Sequence, residues 1–311
     1  MAQSPLASTV NKLYIDFNNF TGEQYVDLAQ CLSLVNRRFY RQGMNYAVEN
    51  IKFYANNGGS INCYKVPTTW VADNATTKAF ENWKEQRAEV LKESPSLKAR
   101  WSDFKIFLDA QHVALGMAGN LVPAGTSTLT ADWEASEFVV PITGGSGGLG
   151  NAQEVTMHVV GDHLPPGPFN NSVTSASLIK SYADSRSIIL APDPVQPPGY
   201  NTNMYIRESS HDEMAADIIQ NVTNFNDNPP YDLDDYPGGD TLMPYPQVFD
   251  AALLNNLGDS FSYSTYNTGP FIAPLGLLRF DPVTFDPETQ IFMEITLAPG
   301  AYKGILAERG V

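Results

Sequence analysis

The residues whose type and spacing come nearest to chemistry lie in one run, Gly144-Gly145-Ser146-Gly147-Gly148-Leu149-Gly150. It contains Gly-x-Ser-x-Gly, the pattern that presents a nucleophilic serine on a strand-to-helix turn, with Ser146 as the nucleophile. It also contains Gly-x-Gly-x-x-Gly, the pattern that seats a dinucleotide pyrophosphate on a helix N-terminus. Both patterns need a helix directly after them. The next ten residues, Asn151 to Val160, alternate like a strand. The run therefore reads as a glycine loop, and Ser146 is not expected to act as a nucleophile.

The other reactive residue types are no better placed. No two of His112, His158, His163 and His211 have zinc-ligand spacing, and neither Cys31 nor Cys63 is near a histidine in sequence. His211-Asp212-Glu213 reads as the first turn of a helix, where acids favour the dipole. The acidic run Asp227, Asp232, Asp234, Asp235 and Asp240 lacks EF-hand spacing. A solvated loop is the plain reading; a structural calcium held by Asp232, Asp234 and Asp235 is the sharper one. Nothing selects a pair of acids for glycoside hydrolysis. No catalytic residue and no cofactor is assigned.

The elements that must position these residues are short. The chain has 311 residues, with 23 Gly and 22 Pro scattered without a period, which suits a sheet-rich fold with many turns. Most of the 16 Phe and 15 Tyr belong in a core or an interface. Two cysteines make no disulfide framework and read as buried thiols. The N-terminal residues lack the pattern of a signal peptide, and no apolar run is long enough to span a bilayer. The net charge of −15 is uneven: residues 1–110 carry 13 basic and 11 acidic side chains, residues 111–311 carry 6 and 23. A free nucleic-acid binder shows the opposite balance, and only Lys12 is basic among residues 1–36. Arg37, Arg38 and Arg41 form one basic concentration, read as the solvated end of a helix. Lys78 to Lys105 holds another, seven residues interleaved with acids.

Strands are expected at 13–17, 46–54, 61–66, 104–108, 138–142, 155–160, 188–190, 260–266, 270–280 and 291–297. In the last, Ile291, Met293, Ile295 and Leu297 alternate with polar or half-polar positions. A capping box, Thr21-Gly-Glu-Gln24, predicts a helix to about Gln42. A second helix is expected over 76–92, with Phe80, Trp83 and Val90 on its inner face, and shorter ones at 175–183 and from Ser210. The turn Asn56-Asn57-Gly58-Gly59 splits two strands. The pattern predicts a mainly β protein, a jelly-roll barrel with a few short helices: one barrel with helical insertions, or two barrels divided near 144–151.

Three segments resemble the capsid proteins of small circular single-stranded DNA viruses known from environmental samples. They are VPTTWVADNATTKAF with ENWKEQRAEVLKESPSLKARWSDFKIFLD after it, NPPYDLDDYPGG at 228–239, and FIAPLGLLRF at 271–280 continuing to ITLAPGAYKGILA. The resemblance implies a jelly-roll major capsid protein, located in the virion, that self-associates into capsomers, trimers among them, and meets other virion proteins. One departure is plain: the Arg-rich arm that neutralises the genome in most such proteins is missing. Weak or no direct nucleic-acid binding is therefore expected, with cations, a separate protein or an underlying lipid layer screening the genome. The rival readings are a carbohydrate-binding or glycosidase-like β-sandwich and, third, a hydrolase using Ser146.

Overall fold

The computed structural model describes residues 9–17, 22–99, 103–126, 133–141, 152–167, 169–170, 172–186, 245–255, 263–285 and 289–310. The chain is mainly β, with several curled antiparallel sheets and four α-helices among the described residues. None of those helices is long and apolar enough to cross a membrane. Ser146, His211, the calcium candidates Asp232, Asp234 and Asp235, the expected strand at 188–190 and the expected helix from Ser210 lie outside the described residues.

Two sheets form the body. In the first, β1 (Lys12–Asp16), β12 (Ile291–Leu297) and β3 (Met44–Ala55) run side by side, and β9 (Ser264–Asn267) and β10 (Phe271–Ala273) pair with β3 in succession. The C-terminal strand Ala307–Arg309 also pairs with β3. In the second, the order is β2 (Gln24–Asp27), β11 (Leu277–Val283), β4 (Gly59–Lys65) and β8 (Gln247–Leu254). All these pairings are antiparallel.

Alternation explains the layering. Ile291, Met293 and Ile295 of β12 are buried while Phe292 and Glu294 are half-exposed. The inward rows of the two sheets meet in one core that includes Ile15, Val26, Ile51, Ile61, Leu278 and Ile295. At its centre Phe17, Phe53 and Phe280 pack edge to face, with Phe280 5.9 Å from Phe17 and 5.8 Å from Phe53. Cys31 and Cys63 are free and buried. At the passage between β10 and β11 the chain takes a left-handed path at Leu275 and Gly276, φ 57° and 70°. A Cβ at Gly276 would stand 3.0 Å from the Tyr46 ring, so glycine suits that position.

Between β4 and β8 the chain makes a long insertion. It holds α2 (Trp70–Glu93), α3 (Ala110–Leu115), a small sheet of β5 (Phe138–Pro141), β6 (Ala152–His158) and β7 (Ser175–Ser177), and α4 (Leu178–Arg186). Residues 142–151, where the sequence suggests a division into two barrels, join β5 to β6, and those two strands are paired.

Several expectations need correction. Gln24 does not cap a helix; it begins β2, paired to Phe280, because sheet pairing overrides the local capping signal. The helix after β2, α1, runs only from Leu28 to Asn36, with Asp27 capping it by accepting from Ala29 N and Gln30 N at 2.9 and 3.2 Å. Arg37 ends it in the left-handed conformation, so the arginines do not lie in its last turns. The turn at 56–59 does not make a hairpin, since β3 and β4 belong to different sheets. The 104–108 segment is buried but forms no strand, only a bridge from Phe107 to His158. α2 begins at Trp70, capped by Thr69, and its buried residues are Val71, Ala72, Ala75 and Thr76. Trp83 is only half-buried and Val90 is 52% exposed, because the small sheet covers the first half of the helix and not the second.

Candidate functional site

The densest group of polar side chains lies where the insertion seats on β2 and β11. Residues on alternate positions of a strand point to the same face, so Arg279 projects outward between the inward Leu278 and Phe280. Its guanidinium donates to Asp281 Oδ1 and Oδ2 at 2.8 and 2.7 Å, to Asp109 Oδ2 at 2.9 Å and to Glu23 Oε1 at 3.3 Å. It also lies 5.2 Å from the Tyr64 ring centroid. Burial alone would lower its pKa, but the bonds to Asp281 and Asp109 hold it well above its ordinary value. Tyr25 donates its hydroxyl to Asp109 Oδ1 at 2.6 Å. Burial and the Asp109 charge push that phenol up, so it stays protonated.

Asp109 also caps α3, accepting from His112 N at 2.9 Å. The His112 ring stacks on Tyr25, centroids 4.3 Å apart and planes 8° from parallel. Its Nδ1 accepts from Leu108 N at 3.0 Å, which makes Nε2 the protonated nitrogen, donating to Asn120 Oδ1 at 2.7 Å. Asn120 in turn donates to Gln30 Oε1. Burial lowers the His112 pKa to about 4, so the ring is neutral.

A second polar group adjoins it. Asp27 is fully buried, and besides capping α1 it accepts from Gln42 Nε2 at 3.1 Å and Trp133 Nε1 at 2.9 Å. Burial raises its pKa to about 6, against the pull of these four bonds. Gln42 completes the link by bonding both backbone groups of Ile106, at 2.6 and 2.9 Å.

These groups suit holding better than turnover. Both carboxylate oxygens of Asp27, Asp109 and Asp281 face donors from the fold itself, and no open space adjoins a nucleophile and a base together. The nearest approach to a hydrolytic pair is His158 and Ser175, at 2.9 Å. Both are buried, and the other nitrogen of His158 donates to the Asp162 carbonyl at 2.8 Å, not to an acid side chain. Burial lowers the pKa of His158 also to about 4. His163, likewise buried, accepts from Ser177 N at 3.0 Å. Three of the four histidines thus join the insertion to itself, and none meets another as a metal pair. Among the described residues no group of three His, Cys, Asp or Glu is placed to hold a metal.

A cleft of about 240 Å³ opens between α2, α4 and the small sheet. Its lining is mostly apolar, with Val155, Met157, Phe138 and Tyr182, and Lys78 is its one charged residue. No acid lines it, so it offers no general acid–base pair.

Sequence reasoning missed Arg279 and Asp109. The signal for Arg279 was present: a single cation in the apolar run Leu277-Leu278-Arg279-Phe280 must face outward to a partner. Asp109 followed by Ala-Gln-His112 carried the mark of a helix cap. No family model, curated protein or solved structure matches the chain.

Proposed function

We propose that the chain is a major capsid protein that self-assembles into an icosahedral viral shell, built on one jelly-roll barrel with a large insertion. The observation that carries this reading is strand order. The chain changes sheet at each step from β1 to β4, stays in one sheet from β4 to β8, then changes at each step through β9 and β10 to β11 and β12. This is the winding expected of two Greek keys rolled into one barrel, with the insertion taking the place of its middle connection. The resemblance of three segments to capsid proteins points the same way.

A shell subunit needs a rigid body and outward apolar contacts. The body presents Tyr14, Val248, Leu253 and Ile272, each more than half exposed. These suit contacts within capsomers, trimers among them, and with other virion proteins. Structural calcium at Asp232, Asp234 and Asp235, and a lipid layer or basic protein beneath the shell, belong to the same reading. So does weak binding of nucleic acid at physiological salt.

Size-exclusion chromatography with light scattering, and negative-stain imaging of the purified protein, test it. Regular particles or stable trimers are expected. A monomer that binds glycans would overturn the reading in favour of a carbohydrate-binding β-sandwich.

A further inference from the structure

The turn at Tyr302-Lys303, far along the chain from α1, closes over the end of that helix. Lys303 Nζ donates to the Phe39 carbonyl, Tyr40 donates its hydroxyl to Lys303 O at 3.0 Å, and Arg41 N donates to Tyr302 Oη at 3.1 Å. The Lys303 ammonium lies 5.4 to 5.9 Å from the ring centroids of Tyr302, Tyr40 and Phe39. This brings a fourth cation to Arg37, Arg38 and Arg41. Arg38, Arg41 and Lys303 are exposed, and Arg37 is half-exposed. Burial, then the charge of Arg41, hold the Lys303 ammonium below its ordinary value, with Arg38 adding to that and Asp103 opposing it. The one ion pair in the group is loose, Arg41 to Asp103 at 3.9 Å. Among the described residues Arg37, Arg38 and Lys303 have no carboxylate within ion-pairing distance.

The backbone adds a second observation. Arg37 and Lys303 both have φ of 51°, and they are two of the four non-glycine residues with positive φ among those described. Left-handed backbone favours Gly or Asn, and a residue with a longer side chain there costs the fold stability. Like charges gathered at strained positions oppose folding, and an external anion relieves them.

We propose that Arg37, Arg38, Arg41 and Lys303 form a binding surface for the phosphodiester backbone of single-stranded nucleic acid. Three guanidinium forks match phosphate oxygens bidentately. The cations lie on an open surface and not in a pocket, which suits a polymer with distributed charge better than a single small anion. Half-buried Phe39 and Tyr302 beside them offer ring faces for bases. The inference goes beyond the shell reading, and assembly is scored separately from binding.

Four phosphate contacts at most give a salt slope of roughly −3 in log K against log salt. The negative charge of the rest of the chain keeps binding weak. Fluorescence anisotropy of a labelled oligothymidylate with the full chain, over a salt series, reads both quantities. Binding at low salt that disappears near physiological salt is expected. Arg37→Asn with Lys303→Asn should keep or raise the thermal midpoint, since Asn accepts left-handed backbone. It should also weaken binding by about tenfold and flatten the slope by roughly one to two. Lys84→Ala with Lys92→Ala, a loss of two exposed cations elsewhere, should leave binding nearly unchanged. Three results would overturn the proposal: no binding of the unaltered chain at low salt, equal losses in the two double variants, or a changed oligomeric state in the asparagine variant with binding intact. The last would assign the surface to contact between copies. Particle images of the same samples report on the shell reading independently.

Discussion

In the body of the molecule, strands bring apolar rows from two sheets together, and aromatic rings fill the centre. In the insertion, a smaller apolar cluster lies beneath α2 and α4, and its junction with the body is largely polar: Asp27, Gln42, Asp109, His112 and Arg279 tie the two. Tyr25, Leu275 and Leu277 carry apolar contact across the same junction. The difference teaches how each region fails. Apolar burial is non-directional and tolerates small shifts, whereas a buried polar network holds only while every member is satisfied.

The largest effect is expected from the body. Phe53→Ala removes a fully buried ring from the Phe17–Phe280 group, at a cost of about 3–5 kcal/mol. Urea denaturation checks this, and a loss below about 1 kcal/mol would mean that the two sheets do not share this core.

The junction should be next. Asp109→Ala leaves Arg279 with Asp281 and Glu23 but strips partners from Tyr25 and the first turn of α3, costing about 1–3 kcal/mol. Limited proteolysis should then show cuts inside the insertion before any in the body. Simultaneous cutting of both would contradict the division between the two regions.

Trp83 tests the edge of the insertion. It touches Phe80 and Phe104, with centroids at 6.1 and 5.8 Å, yet stays half-exposed. Trp83→Ala should cost only about 1–2 kcal/mol, less than the value for a fully buried ring. A denaturation midpoint shifted as far as that of Phe53→Ala would mean that α2 sits deeper in the fold.

Acid should separate the regions more gently. His112 and His158 titrate at about 4 when folded and near 6.5 otherwise, so the stability they confer is present above 6.5 and lost as pH falls toward 4. Protonation of His112 would also set a hydrogen on Nδ1 against the Leu108 N–H. Asp27 runs the other way: with its folded value raised to about 6, its contribution is full below its ordinary 3.8 and lost as pH rises through 6. Lowering the pH from 7 to 4.5 should therefore loosen the insertion first. Proteolysis rates across that range check the order, and faster cutting of the body would reverse it.

The smallest effect is expected at Ser146. Replacing it with Ala should change neither stability nor any measurable hydrolysis, and a hydrolase activity lost in that variant would restore the nucleophile reading.

How much was legible in sequence depended on range. β12 was readable to the residue, because alternation over Ile291–Leu297 is a local property of a strand with one buried face. The thiol state of the cysteines and the stop at Ser94-Pro95 were readable for the same reason, and α2 ends at Glu93 as the proline requires. Gln24 was misread because its partner, Phe280, is distant in the chain, and a capping signal is only a weak preference beside a sheet pairing. The 104–108 segment looked like a strand because burial on both sides imitates one, yet its backbone bonds go to Gln42, Ser136 and one stretch of β6. Which strands share a sheet, which acid meets Arg279, and which lysine joins the arginines beyond α1 were decided by tertiary structure alone. Residues far apart in the chain meet only when the core closes, and no local preference encodes who waits on the other side.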